Sequence, residues 1–89
     1  MGATNVNVVA ERIAELGAAS NKGWKVGIID SAAKAAQNDT WTVTNASEII
    51  MVVVTDDSAG TLDACTISSN VITLTGAATG AATGLIIYR

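Results

Sequence analysis

The residues best equipped for chemistry lie between positions 56 and 65. Asp56, Asp57 and Asp63 surround Gly60, with Ser58 and Thr61 among them and Cys65 just beyond. Carboxylates clustered around a glycine are how hard-cation loops are made. This stretch lacks the alternating ligand spacing and the closing bidentate Glu of an EF-hand, so it is expected to be a solvated loop that blunts a sheet end, and no metal site is assigned. The chain contains no His. That removes Ser–His nucleophilic catalysis and the usual His-containing metal sites. It also leaves Cys65 without an imidazole to hold it as a thiolate, so this residue is expected to be a small buried hydrophobe. Residues Gly76 to Gly84, two Gly-Ala-Ala-Thr units and a closing glycine, lack the Gly-Lys-Ser/Thr ending of a phosphate-binding loop. Trp24, Trp41 and Tyr88 could stack on sugars or single strands. With no Phe in the chain, they are expected instead to be the large members of the core. The chain is therefore read as non-enzymatic, with no catalytic residue and no cofactor.

The elements that would position these residues are short. Eighty-nine residues suit one domain, which buries only about 60–65% of its unfolded surface and is marginal alone. One cysteine gives no internal disulfide, so association with other chains is the remaining route to more buried area. Residues 1–7 read as a polar arm and Val8 to Ala19 as a short helix, with Val9, Ile13 and Leu16 on one face and Asn7 as N-cap. Asn5-Val6-Asn7-Val8 also alternates as a strand does. Trp24 to Asp30 alternates Trp24, Val26 and Ile28 against Lys25 and Gly27, a strand pattern. Ser31 to Gln37 is Ala-rich and reads as a loop or single turn, being too short for an independent helix.

Thr40 to Thr44 reads as a strand with Trp41 and Val43 facing the core. Glu48 to Asp57 contains six consecutive apolar residues, the pattern of a central strand buried on both faces. Asp63 to Thr75 reads as a hairpin turning at Ser69-Asn70. In that register Ile67 faces Ile72 and Cys65 faces Leu74 on one side, while Thr66 and Thr73 pair on the other. Residues 76–84 read as a low-complexity loop, and Leu85 to Tyr88 as a final strand. The expected fold is mainly β, a small antiparallel β-sandwich or barrel (residues 23–89) carrying an N-terminal arm and short helix (residues 1–22).

Charge is unevenly placed. The net charge is −3 and charged residues make up 15% of the chain, against about 25% in an average domain. The acidic balance argues against nucleic acid, which is bound through basic patches. No stretch is apolar enough for a membrane-spanning helix. Met1 to Asn5 has no basic region followed by an apolar run, so no leader is expected, and a single cysteine suits a reducing cytoplasm. From Ala64 to Tyr88 there is no charged residue, and from Thr40 to Thr55 only Glu48. A free monomer spreads charge over its exposed faces. Thr, Ser, Asn, Ala and Gly surfaces bury at little side-chain entropy cost, so much of this surface is expected to be covered by further copies or a larger partner.

Gly23-Trp24-Lys25-Val26-Gly27, Asn38-Asp39-Thr40-Trp41-Thr42-Val43, Glu48 through Asp57, Ile67 through Leu74 and Thr83-Gly84-Leu85-Ile86-Ile87-Tyr88 follow one another in an order that resembles small tailed-phage virion proteins of the head decoration or cement type. The resemblance spans about residues 23–89 and implies a β-sandwich that binds and supports without catalysis, often as a trimer. It further implies a place in the virion after synthesis in the host cytoplasm, the major capsid protein as partner, and neighbouring capsid subunits clamped together through many repeated contacts. Contacts are expected at Asn5, Val6 and Asn7 in the arm and at Thr79 and Thr83. The alternatives are a self-assembling fibre, filament or tail subunit using the same uncharged faces, and a small carbohydrate- or ligand-binding β-module built on Trp24 or Trp41.

Overall fold

The computed structural model describes residues 3–6, 10–12 and 23–89, with side chains over 23–89. Among the described residues the chain is mainly β and contains no helix. Its strands are β1 (Ala3–Val6), β2 (Ala10–Arg12), β3 (Lys25–Lys34), β4 (Asp39–Val43), β5 (Ile49–Asp56), β6 (Leu62–Asp63), β7 (Cys65–Ser68), β8 (Val71–Leu74) and β9 (Gly80–Tyr88). They form a four-stranded sheet in the order β1-β4-β8-β7 and a five-stranded sheet in the order β2-β3-β9-β5-β6. Every pairing is antiparallel except β1 with β4, which is parallel.

The N-terminal residues differ from their expected form. Ala10–Arg12, inside the stretch expected as a helix over Val8 to Ala19, is a strand, with Ala10 opposite Ile28 and Arg12 opposite Val26. The rest of that stretch lies outside the described residues. A lone helix of this length is marginal in water, whereas the outer edge of β3 presents unpaired backbone groups that a strand satisfies directly. In the arm, Ala3–Val6 pairs with β4, with Asn5 opposite Thr42 and Val6 opposite Val43.

The β7–β8 hairpin takes the expected register, with Cys65 opposite Leu74, Thr66 opposite Thr73 and Ile67 opposite Ile72. Ser69 supplies the positive φ of the two-residue turn, 53°. The turn is anchored from both sides. Ile49 donates its amide to the Ser69 carbonyl at 2.9 Å, and Val43 donates to the Asn70 carbonyl at 2.9 Å.

Trp41, Val43, Ile72 and Leu74 of the four-stranded sheet and Ile29, Val54, Ala82, Ile86 and Tyr88 of the five-stranded sheet are buried in one cluster, with Ala46 and Ile49. Trp41 is fully buried, and its indole Nε1 donates to the Ala33 carbonyl at 2.9 Å. The indole leans on Gly84, where a β-carbon would lie 3.5 Å from its ring and 3.6 Å from Val54. Gly84 thus lies inward in β9, beneath the largest side chain of the other sheet, where a methyl group would meet its neighbours at ordinary contact distance.

Three further expectations are corrected. β9, not β5, is the middle strand of its sheet, and it begins at Gly80, so the second Gly-Ala-Ala-Thr unit is strand rather than loop. Its Ala81 and Ala82 pair with Ala33 and Ala32, so β3 continues to Lys34 through residues expected as a turn. Met51 and Val53 of β5 are about half exposed, so that strand is buried on one face only. The core cluster draws on strands of both sheets, so each of these strands has one inner side, and among the described residues no further element lies over the outer side of β5. A continuous apolar run therefore leaves alternate residues in solvent.

Candidate interaction surface

The alternation that buries Gly27 and Ile29 of β3 and Gly84 and Ile86 of β9 turns the residues between them outward. Leu85 lies opposite Ile28 on one side and Val53 on the other, giving a cross-strand row Ile28–Leu85–Val53. Ile87 lies opposite Val26 and Met51 in the next row. Ile28 is 41% exposed, Val53 47%, Met51 52% and Leu85 52%, and Leu62 at the β6 edge is 75% exposed. Val26 and Ile87 are half-buried between them. Single exposed aliphatic residues are ordinary on a protein surface, but contiguous rows of them mark a contact face.

Two shallow depressions mark this region. One, of about 200 Å³, is lined by Ile28, Val53, Thr55, Thr83, Gly84 and Leu85. The other, of about 410 Å³, lies where β6 ends beside β5 and is lined by residues that include Val52, Leu62, Ala64 and Cys65.

Polar groups gather at the ends of the strands. At one end β3 carries a bulge, two of its residues (Asp30 and Ser31) facing Thr83 alone. Ser31 there has φ of 50°, and its amide donates to Thr83 Oγ1 at 3.2 Å. Asp57 receives the Ser31 hydroxyl at 2.7 Å on one oxygen and the Thr83 hydroxyl at 2.7 Å on the other. At the opposite end Lys25 sits 5.9 Å from the centroid of the Tyr88 ring, and Arg89 pairs with Glu48 at 2.7 Å.

The carboxylates of the 56–63 stretch do not converge. Asp56 folds onto its own turn and accepts the Ser58 amide and hydroxyl, each at 2.9 Å. The Ser58 hydroxyl, followed by its amide, holds the Asp56 carboxyl below the usual carboxylate range. Asp57 is engaged by Ser31 and Thr83. Asp63 points inward to Lys34 at 2.7 Å, with both side chains almost wholly buried. Among the described residues no group of three or more metal-ligating side chains comes together. Cys65 is half-buried. Burial, and secondarily the charge of Asp63, push its thiol pKa up, away from thiolate character.

The expected contact residues fall into different settings. Asn5 and Val6 lie in β1 against β4 of the same chain, and Asn7 lies outside the described residues. Thr79 is exposed in the loop before β9, whereas Thr83 is half-buried within β9 with its hydroxyl bonded to Asp57. Of the aromatic residues considered for stacking, Trp41 and Tyr88 are fully buried and Trp24 is half-buried. A ligand module built on Trp41 is thereby removed. The outward rows of β3, β5 and β9 were not singled out from the sequence. The signal for them was the pairing of apolar residues with Gly or Ala at alternate positions, Val26-Gly27-Ile28 and Thr83-Gly84-Leu85, in which the small residue takes the crowded inner face.

Compared with protein families, with curated proteins and with solved structures, the chain matches none.

Proposed function

We propose that the protein is a virion structural protein of the capsid decoration or cement type, a small β-sandwich that clamps neighbouring major capsid subunits and stabilises the shell without catalysing a reaction. The observation that supports this reading is the distribution of charge over the surface. β7, β8 and β9 carry no charged side chain, yet β7 is a sheet edge and β9 contributes the exposed Leu85 to an outer face. Edge strands of free-standing proteins are blunted by charge, proline or a bulge. β7, Cys-Thr-Ile-Ser, has no charge or proline, and its register with β8 is unbroken. Such surfaces suit a protein that works while covered. Many weak contacts repeated over a lattice would then add to a firm hold. Thr79, exposed at the loop before β9, and Asn7 remain contact positions in this proposal, and the assembled form is an oligomer of this chain on the shell.

The test is a protein inventory of purified virus particles from the native source, with stoichiometry against the major capsid protein. A fixed ratio to the capsid protein at hundreds of copies per particle is the expected result. A handful of copies would move the protein to the tail or a fibre, the reading that the uncharged β7 edge also favours. Its absence from particles would overturn the virion reading.

A further inference from the structure

We propose that the outer face of the five-stranded sheet packs against the same face of a second copy of this chain. The inference rests on the reading of this surface as one that works covered, and it is independent of where in a particle the protein resides.

Two observations identify the occupant as a second copy. The first is area. With a fully exposed aliphatic residue taken as about 150–200 Å², the exposed fractions of Ile28, Met51, Val53, Leu62 and Leu85 amount to about 500 Å², near the top of the range for the largest patch on a monomer. Two such faces in contact bury about 1,000 Å², the least that a specific interface is expected to bury.

The second is self-complementarity of chemistry. The rows Ile28–Leu85–Val53 and Val26–Ile87–Met51 contain no ionisable side chain. Covering them therefore leaves no charge buried and unpaired, whereas a charged partner face would lose its hydration for no return. Hydrophobic centre and polar ends are also the anatomy of a protein interface.

A face that packs on its own copy is an isologous contact, in which the two chains are related by a two-fold axis. Such a pair differs from the trimer that the resemblance to phage virion proteins implies.

Sedimentation velocity over a concentration series reads the outcome, with Leu85→Lys and Val53→Lys as variants whose side chains point to solvent in the single chain. The expected result is a species of twice the 9.0 kDa chain mass in the wild type, and a dissociation constant raised about 100-fold or more by either lysine. Circular dichroism and melting temperature of the variants, measured at low concentration, would stay those of the dissociated wild type. A wild type that stays monomeric at about 200 μM, far above the range of specific complexes, would overturn the proposal. So would a trimer or an open polymer, or a dimer indifferent to both lysine variants. A monomer found at fixed ratio in particles would leave the proposed function standing and remove only this inference. A dimer absent from particles would do the reverse.

Discussion

Replacing Lys34 by Met removes one charge from a buried ion pair, and the structure sets the cost. Lys34 Nζ donates to Asp63 Oδ2 at 2.7 Å and to the Gly76 carbonyl at 2.7 Å. Asp63 Oδ1 receives the Gly76 amide at 3.0 Å. The three residues come from the end of β3, from β6 and from the loop after β8, so this lock joins the two sheets where the apolar core stops. The side chains of the pair are 2% and 1% exposed. A buried ion pair adds little over well-packed apolar residues, but removing one member strands the other charge, at a cost of about 3–5 kcal/mol. The whole stability expected of a chain of 89 residues is about 5–13 kcal/mol at the usual per-residue value.

Lys34→Met should therefore lower the urea midpoint by about 3 M or more, at a slope of about 1 kcal/mol per molar. Asp63→Asn introduced on top of it removes the stranded charge and keeps an oxygen for the Gly76 amide. The double variant should regain about 2 kcal/mol or more of the loss, within the range of coupling energies for direct contacts. Equilibrium unfolding of wild type, both single variants and the double variant measures this coupling. A loss under about 1 kcal/mol for Lys34→Met, of the size seen for surface pairs, or a double variant no more stable than Lys34→Met, would refute the reasoning.

Two glycines should respond in opposite senses. A β-carbon at Gly76 would collide with the Asp63 carboxylate, so Gly76→Ala should cost about 2–3 kcal/mol in urea unfolding, by disturbing a buried hydrogen-bonded charge. At Gly84 a β-carbon meets its neighbours at ordinary contact distance and φ is not positive. Gly84→Ala should therefore gain about 0.4–1 kcal/mol by restricting the unfolded chain. The folded-state pKa of Asp56 is lowered, chiefly by the Ser58 hydroxyl. Its contribution to stability is therefore present above the unfolded carboxylate value near about 3.9 and is lost as pH falls through the lower folded value. Ser58→Ala should flatten this acid dependence, seen as a smaller drop in urea midpoint between about pH 5 and pH 2. Trp41 is fully buried and Trp24 half-buried. Iodide should quench the fluorescence of a Trp24→Phe variant very little and that of a Trp41→Phe variant measurably more; equal quenching would contradict the placement of the two rings.

The parts of the fold that were legible in the sequence are those in which local pattern and burial agree. In the β7–β8 hairpin, Cys65, Ile67, Ile72 and Leu74 fall on one face only when the turn is at Ser69-Asn70, so the apolar pattern selects the register. Trp41 and Val43 alternate with threonines and face the core as their spacing implies. The misread parts are those in which tertiary pairing overrides local preference. Ala10–Arg12 has helical spacing around it but lies against a strand with an open edge. Ala32 and Ala33 suit a turn or a helix by propensity, yet Ala81 and Ala82 offer them partners of the same size. In β5 an unbroken apolar run conceals which residues face outward. The inward positions on the neighbouring strands are taken by small residues such as Gly27 and Gly84, the latter beneath Trp41. The chemistry-bearing stretch 56–63 was legible as an exposed loop only over residues 57–61; Asp56 is instead the buried last residue of β5. Asp63 could not be assigned in the same way, because its partner Lys34 stands 29 positions away in a segment whose strand character was itself hidden.

The central claim is that the outer face of the five-stranded sheet is covered when the protein is at work. Oxidative footprinting of Met51, which projects from that face and is 52% exposed, tests it most directly. The modification rate is compared between the protein diluted to its monomer and the protein in its native assembly. The account predicts a rate lower by about tenfold in the assembly, as expected for a side chain at the centre of a dry contact. An unchanged rate at Met51, with Leu85 and Leu62 equally unprotected, would contradict it.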